Sequence, residues 1–276
     1  TLYDLLVGDV ALGRNQFKIA LDNYSRQARL TADKEVIALA HRIAEYVRDQ
    51  AVQLEMALLW VDTSPDDPEA HKAALQAYLN QGDALTALTH ASWLYQYHND
   101  LDSLLLVTTT TFDSPSQIAS LIDSVKKLPF SREKQSFTHL LTAVLEQKLG
   151  QLKEAERDAR AFLAAVPADQ RGLLLLSQLL HQQNRSDESI ELLINALKDK
   201  PNNRPLRLQY ARFLATNTPK KAIAQFEILR DDNPKDQEVN FLLALMQLSH
   251  GDIAAAENLF EQASAKPSLR SDAQYH

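Results

Sequence analysis

A spacing of about 34 residues runs through this chain and restricts it to a small set of folds. Pro167, Pro201 and Pro234 lie 34 and 33 apart, and Ala155, Ser189, Ala222 and Ala256 follow one another at 34, 33 and 34. Phe226 and Phe260 are 34 apart, with Ala159 and Leu193 in the same role earlier. The turn residues Gly82, Gly150, Asn184 and Gly251 are separated by 68, 34 and 67. A unit of this length cannot bury its own apolar face, so it must stack on its neighbours. One continuous array of eight stacked pairs is therefore expected.

Composition narrows the kind of unit. Only six glycines and ten prolines occur in 276 residues, and most of the prolines sit between periodic segments. That favours helices joined by short turns over a sheet. With 45% hydrophobic and 24% charged residues, the chain has the balance of a soluble, well-cored protein. It has no cysteine, which removes disulfides, thiolate nucleophiles and cysteine metal sites. The net charge of −7 is uneven. Between Glu35 and Asp123, thirteen acidic residues face only Arg42, Arg48 and Lys72, a balance of 3 − 13 = −10. Clustered cations for a phosphate backbone are missing, so a nucleic-acid partner is not expected. The acidic stretch reads either as a solvated face or as a docking surface for a basic partner. No apolar run reaches the roughly 18 residues of a membrane span. The start at Thr1 and the end at "SDAQYH" read as a piece of something longer.

The pattern resembles the tetratricopeptide repeat: a small residue near position 8, glycine near 15, alanine at 20, an aromatic at 24 and proline near 32. Small residues at 8 and 20 let two antiparallel helices approach to about 8–10 Å. Glycine or asparagine at 15 tolerates the left-handed turn that ends the first helix. Proline at 32 stops the second. The resemblance implies an all-α, right-handed superhelical solenoid of antiparallel helix pairs. In this register residues 1–101 hold repeats one to three, 102–135 a degenerate helix pair, 136–268 repeats five to eight, and 269–276 the start of a truncated ninth. The later first helices begin near Ser136, Gln170, Arg204 and Gln237, and "TNTPKKA" is one residue short in its turn.

The chemistry-bearing residues do not form a reaction centre in sequence. The eight histidines never take the His-Glu-x-x-His spacing that places two ligands on one helical face. His90 and His98, eight apart, have no carboxylate between them. The glycines do not cluster into a phosphate loop, and Gly-x-Ser-x-Gly is missing. His98, Asn99 and Asp100 are consecutive and so point in different directions, whereas a triad must converge. Trp60 and Trp93 read as filling between looser pairs. No catalytic residue, metal or cofactor is expected.

The resemblance implies where a partner binds: on the first helix of each pair, at positions 2, 5, 9, 12 and 13. By register these are Phe137, Leu140, Val144, Gln147 and Lys148 in the fifth repeat and Arg171, Leu174, Gln178, His181 and Gln182 in the sixth. The seventh adds Leu208, Arg212 and Thr216, and the eighth Phe241, Leu245 and Leu248. An apolar strip edged by amides and bases suits an extended or helical peptide. Lys72 with Gln76 partly echoes the clamp by which some such domains hold a chaperone's terminal carboxylate.

The opening "LYDLLVGDVALGRNQFKIALDNYSRQARLTADKEVIALAHRIAEY", with "LRLQYARFLA" and "FLLALMQLSHGD", is similar to one group of tetratricopeptide lipoproteins of Gram-negative bacteria. These are adaptors for a periplasmic carboxyl-terminal processing protease. That resemblance implies a non-catalytic scaffold, associated with the outer membrane on its periplasmic side, which brings the protease to cell-wall hydrolases. The group's lipid-bearing cysteine is missing from these residues. A cytosolic assembly or chaperone-adaptor module recognising one peptide motif is the alternative.

Overall fold

The computed structural model describes residues 2–110, 112 and 114–263. Among these there are sixteen α-helices and no strand. The chain divides between Leu149 and Gly150 into two compact units. The first holds α1 (Leu2–Gly13), α2 (Phe17–Thr31), α3 (Lys34–Val47), α4 (Gln50–Thr63), α5 (Pro68–Asn80), α6 (Ala84–His98), α7 (Leu101–Thr109), α8 (Pro115–Lys126) and α9 (Arg132–Lys148). The second holds α10 (Leu152–Ala165), α11 (Gln170–Gln182), α12 (Ser186–Asp199), α13 (Arg204–Asn217), α14 (Pro219–Asp232), α15 (Gln237–His250) and α16 (Ile253–Ala263). Helices α11, α13 and α15 begin at the residues the repeat register predicts. Helix α9 begins four residues before Ser136. The expected ninth repeat at 269–276 lies outside the described residues.

Small residues sit where the period demands close approach. Ala20, Ala57, Ala87, Ala155, Ser189 and Ala222 are fully buried, and Ala256 nearly so. Ser189 avoids the cost of a buried hydroxyl by donating to Ser177 O at 2.8 Å. In the first pair the contact is tighter than an alanine-to-alanine approach. A Cβ on Gly8 would stand 2.8 Å from the Tyr24 ring, one turn beyond Ala20. Tyr24 in turn donates to Asp9, and burial together with that carboxylate pushes its hydroxyl up to about 12.

The turns follow the expected chemistry at Asn15, Gly82, Gly150, Asn184 and Gly251, all of which take positive φ. In the looser second pair the same place is held by Arg48 at φ 60. An L-residue there costs roughly 1 kcal/mol. The shortened turn has only Thr218 between α13 and α14.

A second period marks the helix starts. Asp33, Asp67, Asp100, Asp169, Asn203 and Asp236 each accept a backbone N–H of the following helix. They lie 34, 33, 69, 34 and 33 apart. Each such cap contributes about 1 kcal/mol and satisfies an N–H that the helix cannot.

Candidate functional site

In the first unit, α3, α4 and α5 enclose an open cleft of about 520 Å³. Its walls carry Lys34, His41 and Arg42 from α3, Trp60 from α4, and Lys72 and Gln76 from α5. Asp67 ties the three helices together. Its Oδ1 caps α5 through Glu69 N at 3.0 Å, while Oδ2 accepts from Trp60 Nε1 at 3.1 Å and pairs with Lys34 Nζ at 2.9 Å. Burial would raise this carboxyl, but the Lys34 ammonium and the two N–H donors outweigh it and hold it below the usual range. Ala73 of α5 also lines it.

The cleft is rich in donors. Lys72 pairs only with Glu69 of its own helix, at 2.9 Å and with both side chains about half exposed or more, so it can exchange that partner at little cost. Arg42 is exposed. His41 is 6% exposed, with its ring edge-on to Trp60 at 6.4 Å. Burial lowers its pKa and keeps it neutral near pH 7. Among the described residues its buried Nε2 has no hydrogen-bond partner, so this ring belongs to the wall and not to the reachable surface. The partial clamp echo is also spent internally. Gln76 donates to Asn80 Oδ1 at 2.9 Å, and Asn80 donates to Gln53 at 3.2 Å.

Next to this cleft, α5 and α6 meet through a cluster of aromatic and imidazole rings. His71 and His90 approach with Nδ1 atoms 3.1 Å apart, and Trp93 stacks on His71 at 3.7 Å with planes 4° apart. Tyr78 stacks on His90 at 5.7 Å, and His98 packs against Trp93 at 5.0 Å. The two imidazoles are 19 residues apart on different helices, so no local spacing reports them. Among the described residues no group of three or more metal-ligating side chains is placed to hold an ion.

The strip expected on α9 and in the second unit is largely packed. Leu140 is 1% exposed and Leu208 7%, so neither faces an open trough. The reason is that first helices pack against more than one neighbour. Leu208 sits in the core with Phe226 and Leu243. Phe137 is half-buried edge-on to Tyr95 at 5.6 Å, and Val144 is half-buried. In the second unit Leu174 packs on the cluster around Leu193 and Leu206, and His181 stacks on Phe213 at 4.2 Å. Phe241 meets Phe260 at 5.8 Å, and Leu245 packs on the same cluster.

The cations of the expected basic edge have partners within the chain. Arg171 pairs with Asp169 at 2.7 Å and Arg212 with Glu238 at 2.6 Å. Lys148 is exposed, donates to Thr110 O at 3.2 Å and lies over the Phe112 ring at 5.2 Å. Gln178 is exposed. Leu140 of the first unit and Leu208 of the second are thus core residues, while Lys148 and Gln178 are open to solvent.

Residues 140–205 and 212–273 match the family model described as tetratricopeptide repeat. Residues 140–205 and 212–273 carry tetratricopeptide repeats. A TPR repeat-containing protein of Pseudomonas aeruginosa is 32% identical over 227 residues, covering 76% of this chain. This chain spans 36% of that relative's length. A crystal structure of a tetratricopeptide repeat protein from Parabacteroides merdae is similar in fold, with a TM-score of 0.52. The two are 12% identical, over 95% of this chain and 91% of that one. The all-α solenoid of helix pairs expected from the 34-residue spacing is the fold observed. Proteins built from this repeat generally mediate protein–protein interaction. Among the described residues no helix is long and apolar enough to cross a membrane.

Proposed function

We propose that this chain is a non-catalytic scaffold that binds other polypeptides, and that the α3–α5 cleft of its first unit is one place where it does so. The cleft carries this reading. It is open to solvent, and the exposed Lys72 and Arg42 line it where a bound chain can reach them. Mixed-sign rims of this kind select and orient partners more than they add affinity.

The finer reading is an adaptor in the periplasm, associated with the outer membrane, that joins a carboxyl-terminal processing protease to cell-wall hydrolases. Its support is the resemblance of "LYDLLVGDVALGRNQFKIALDNYSRQARL" and of "FLLALMQLSHGD" to that group. The test is reconstitution. The purified chain and the processing protease of the same genome are mixed and weighed by light scattering after gel filtration. A stable complex that speeds hydrolase cleavage is expected. No complex, together with unchanged cleavage, refutes the adaptor reading. Retained complex formation by an Arg42→Ala, Lys72→Ala double variant moves the site away from the cleft.

A further inference from the structure

The His71–His90 contact obeys a strict proton count. His71 Nε2 lies 2.9 Å from Pro65 O. A carbonyl only accepts, so this nitrogen carries a hydrogen, and the Nδ1 of the neutral ring is a bare lone pair. His90 Nδ1, 3.1 Å away, must then be the donor. One added proton fits on His90 Nε2 and leaves both hydrogen bonds intact. A second has to go on His71 Nδ1. There it would face the His90 N–H directly, two donors and two positive charges at hydrogen-bond distance, and the contact must part.

The surroundings make that parting consequential. Neither ring hydrogen-bonds a carboxylate. The charged groups facing the pair are Asp66 and Asp67 in the loop before α5, and His98 at the end of α6. Other nearby charges are engaged: Lys72 with Glu69, Lys34 of α3 with Asp67, Lys126 of α8 with Glu146, and Asp100 before α7 with Ser103. Trp93 covers His71 and Tyr78 covers His90, so losing the contact uncovers aromatic surface between the two helices.

We propose that the His71–His90 contact is an acid-sensitive latch between α5 and α6, closed with no added proton or one and open when both rings are charged. The latch does not depend on the scaffold reading, but α5 is also a wall of the cleft, so opening would reshape that site. Burial lowers the pKa of both rings and, with the charge of His71, pushes His90 down to about 4. For a base whose folded pKa is depressed, stability is full above the ordinary histidine range and is lost as pH falls towards the folded value. The latch therefore opens on acidification and never on alkalinisation.

Hydrogen exchange of the full chain tests this, after correction for the intrinsic pH dependence. Between about pH 7 and pH 4.5, amides of α5 and α6 should exchange at least ten-fold faster, while α11 and α12 change little. His90→Gln keeps an N–H donor for His71 Nδ1 and cannot be charged, so its acceleration should vanish. Equal acceleration in that variant, or none in the natural chain, overturns the proposal. A second readout needs no variant: the 15N–15N coupling across the Nδ1–H···Nδ1 bond should be present at neutral pH and lost well below about pH 4. A coupling that persists in acid overturns the latch even if the variant fails to fold.

Discussion

Replacing Gly172 with alanine sets two physical effects against each other. Helix propensity favours alanine by about 1 kcal/mol in a helix interior, and somewhat less here, in the first turn of α11. Packing opposes it. The new Cβ would stand 2.6 and 2.7 Å from Phe162 Cδ1 and Cε1, and 2.8 Å from Leu163 Cδ2. Relaxed carbon contacts are about 3.5–4.0 Å, so a shift of close to 1 Å is required. Phe162 is 0% exposed and cannot swing into solvent. Overpacking of a buried ring costs about 1–3 kcal/mol. The balance is a net loss of about 1–2 kcal/mol, or a few degrees in melting temperature for a unit of this size. Gly13→Ala is the control, because nothing lies within 4 Å of its Cβ and its residue ends α1. It should be neutral or slightly stabilising. Repeat arrays can unfold in parts, so thermal melts by circular dichroism should be paired with amide exchange in α10 and α11. A Gly172→Ala chain that melts at or above the natural temperature would refute the close approach of α10 and α11.

Two further substitutions probe the site and its supports. Leu140→Asp places an unpaired charge at a 1% exposed position and should cost more than about 4 kcal/mol. Gln178→Asp on the exposed face of α11 should stay within about 0.5 kcal/mol, and urea midpoints distinguish the two. Asp67→Asn keeps an oxygen for the α5 cap but loses the charge facing Lys34, and should cost about 1 kcal/mol at neutral pH. Because Asp67 is held below the usual carboxylate range, its contribution is present at neutral pH and lost as pH falls through that range. The difference between the two chains should therefore shrink on acidification. A gap that widens would contradict the geometry.

The helix pairs were legible because they depend on local and periodic causes. Ala155, Ala222 and Ala256 recur where axes must approach, Gly150 and Gly251 where the backbone turns left-handed, and the prolines where a helix must stop. The aspartate caps at 33, 67, 169 and 236 carry the same period and are equally local in origin. The surface was harder. Register shows which side of a first helix Leu140 and Leu208 occupy, but not how far adjacent helices close over that side. The partners of the basic edge were hidden for a similar reason, since Arg212 pairs with Glu238 of the next first helix, 26 residues away.

What the sequence by itself determined is the repeating unit: two antiparallel helices, their turns, and the need of each pair for a neighbour. These follow from side-chain size, backbone freedom and hydrogen-bond capping, which act over a few residues and survive in the linear order. Only the tertiary structure decided that Gly172 receives the Phe162 ring, that Asp67 joins α3, α4 and α5, and that His71 meets His90. Each of these joins side chains from different helices, and sub-ångström differences in how those helices settle separate an open face from a closed one.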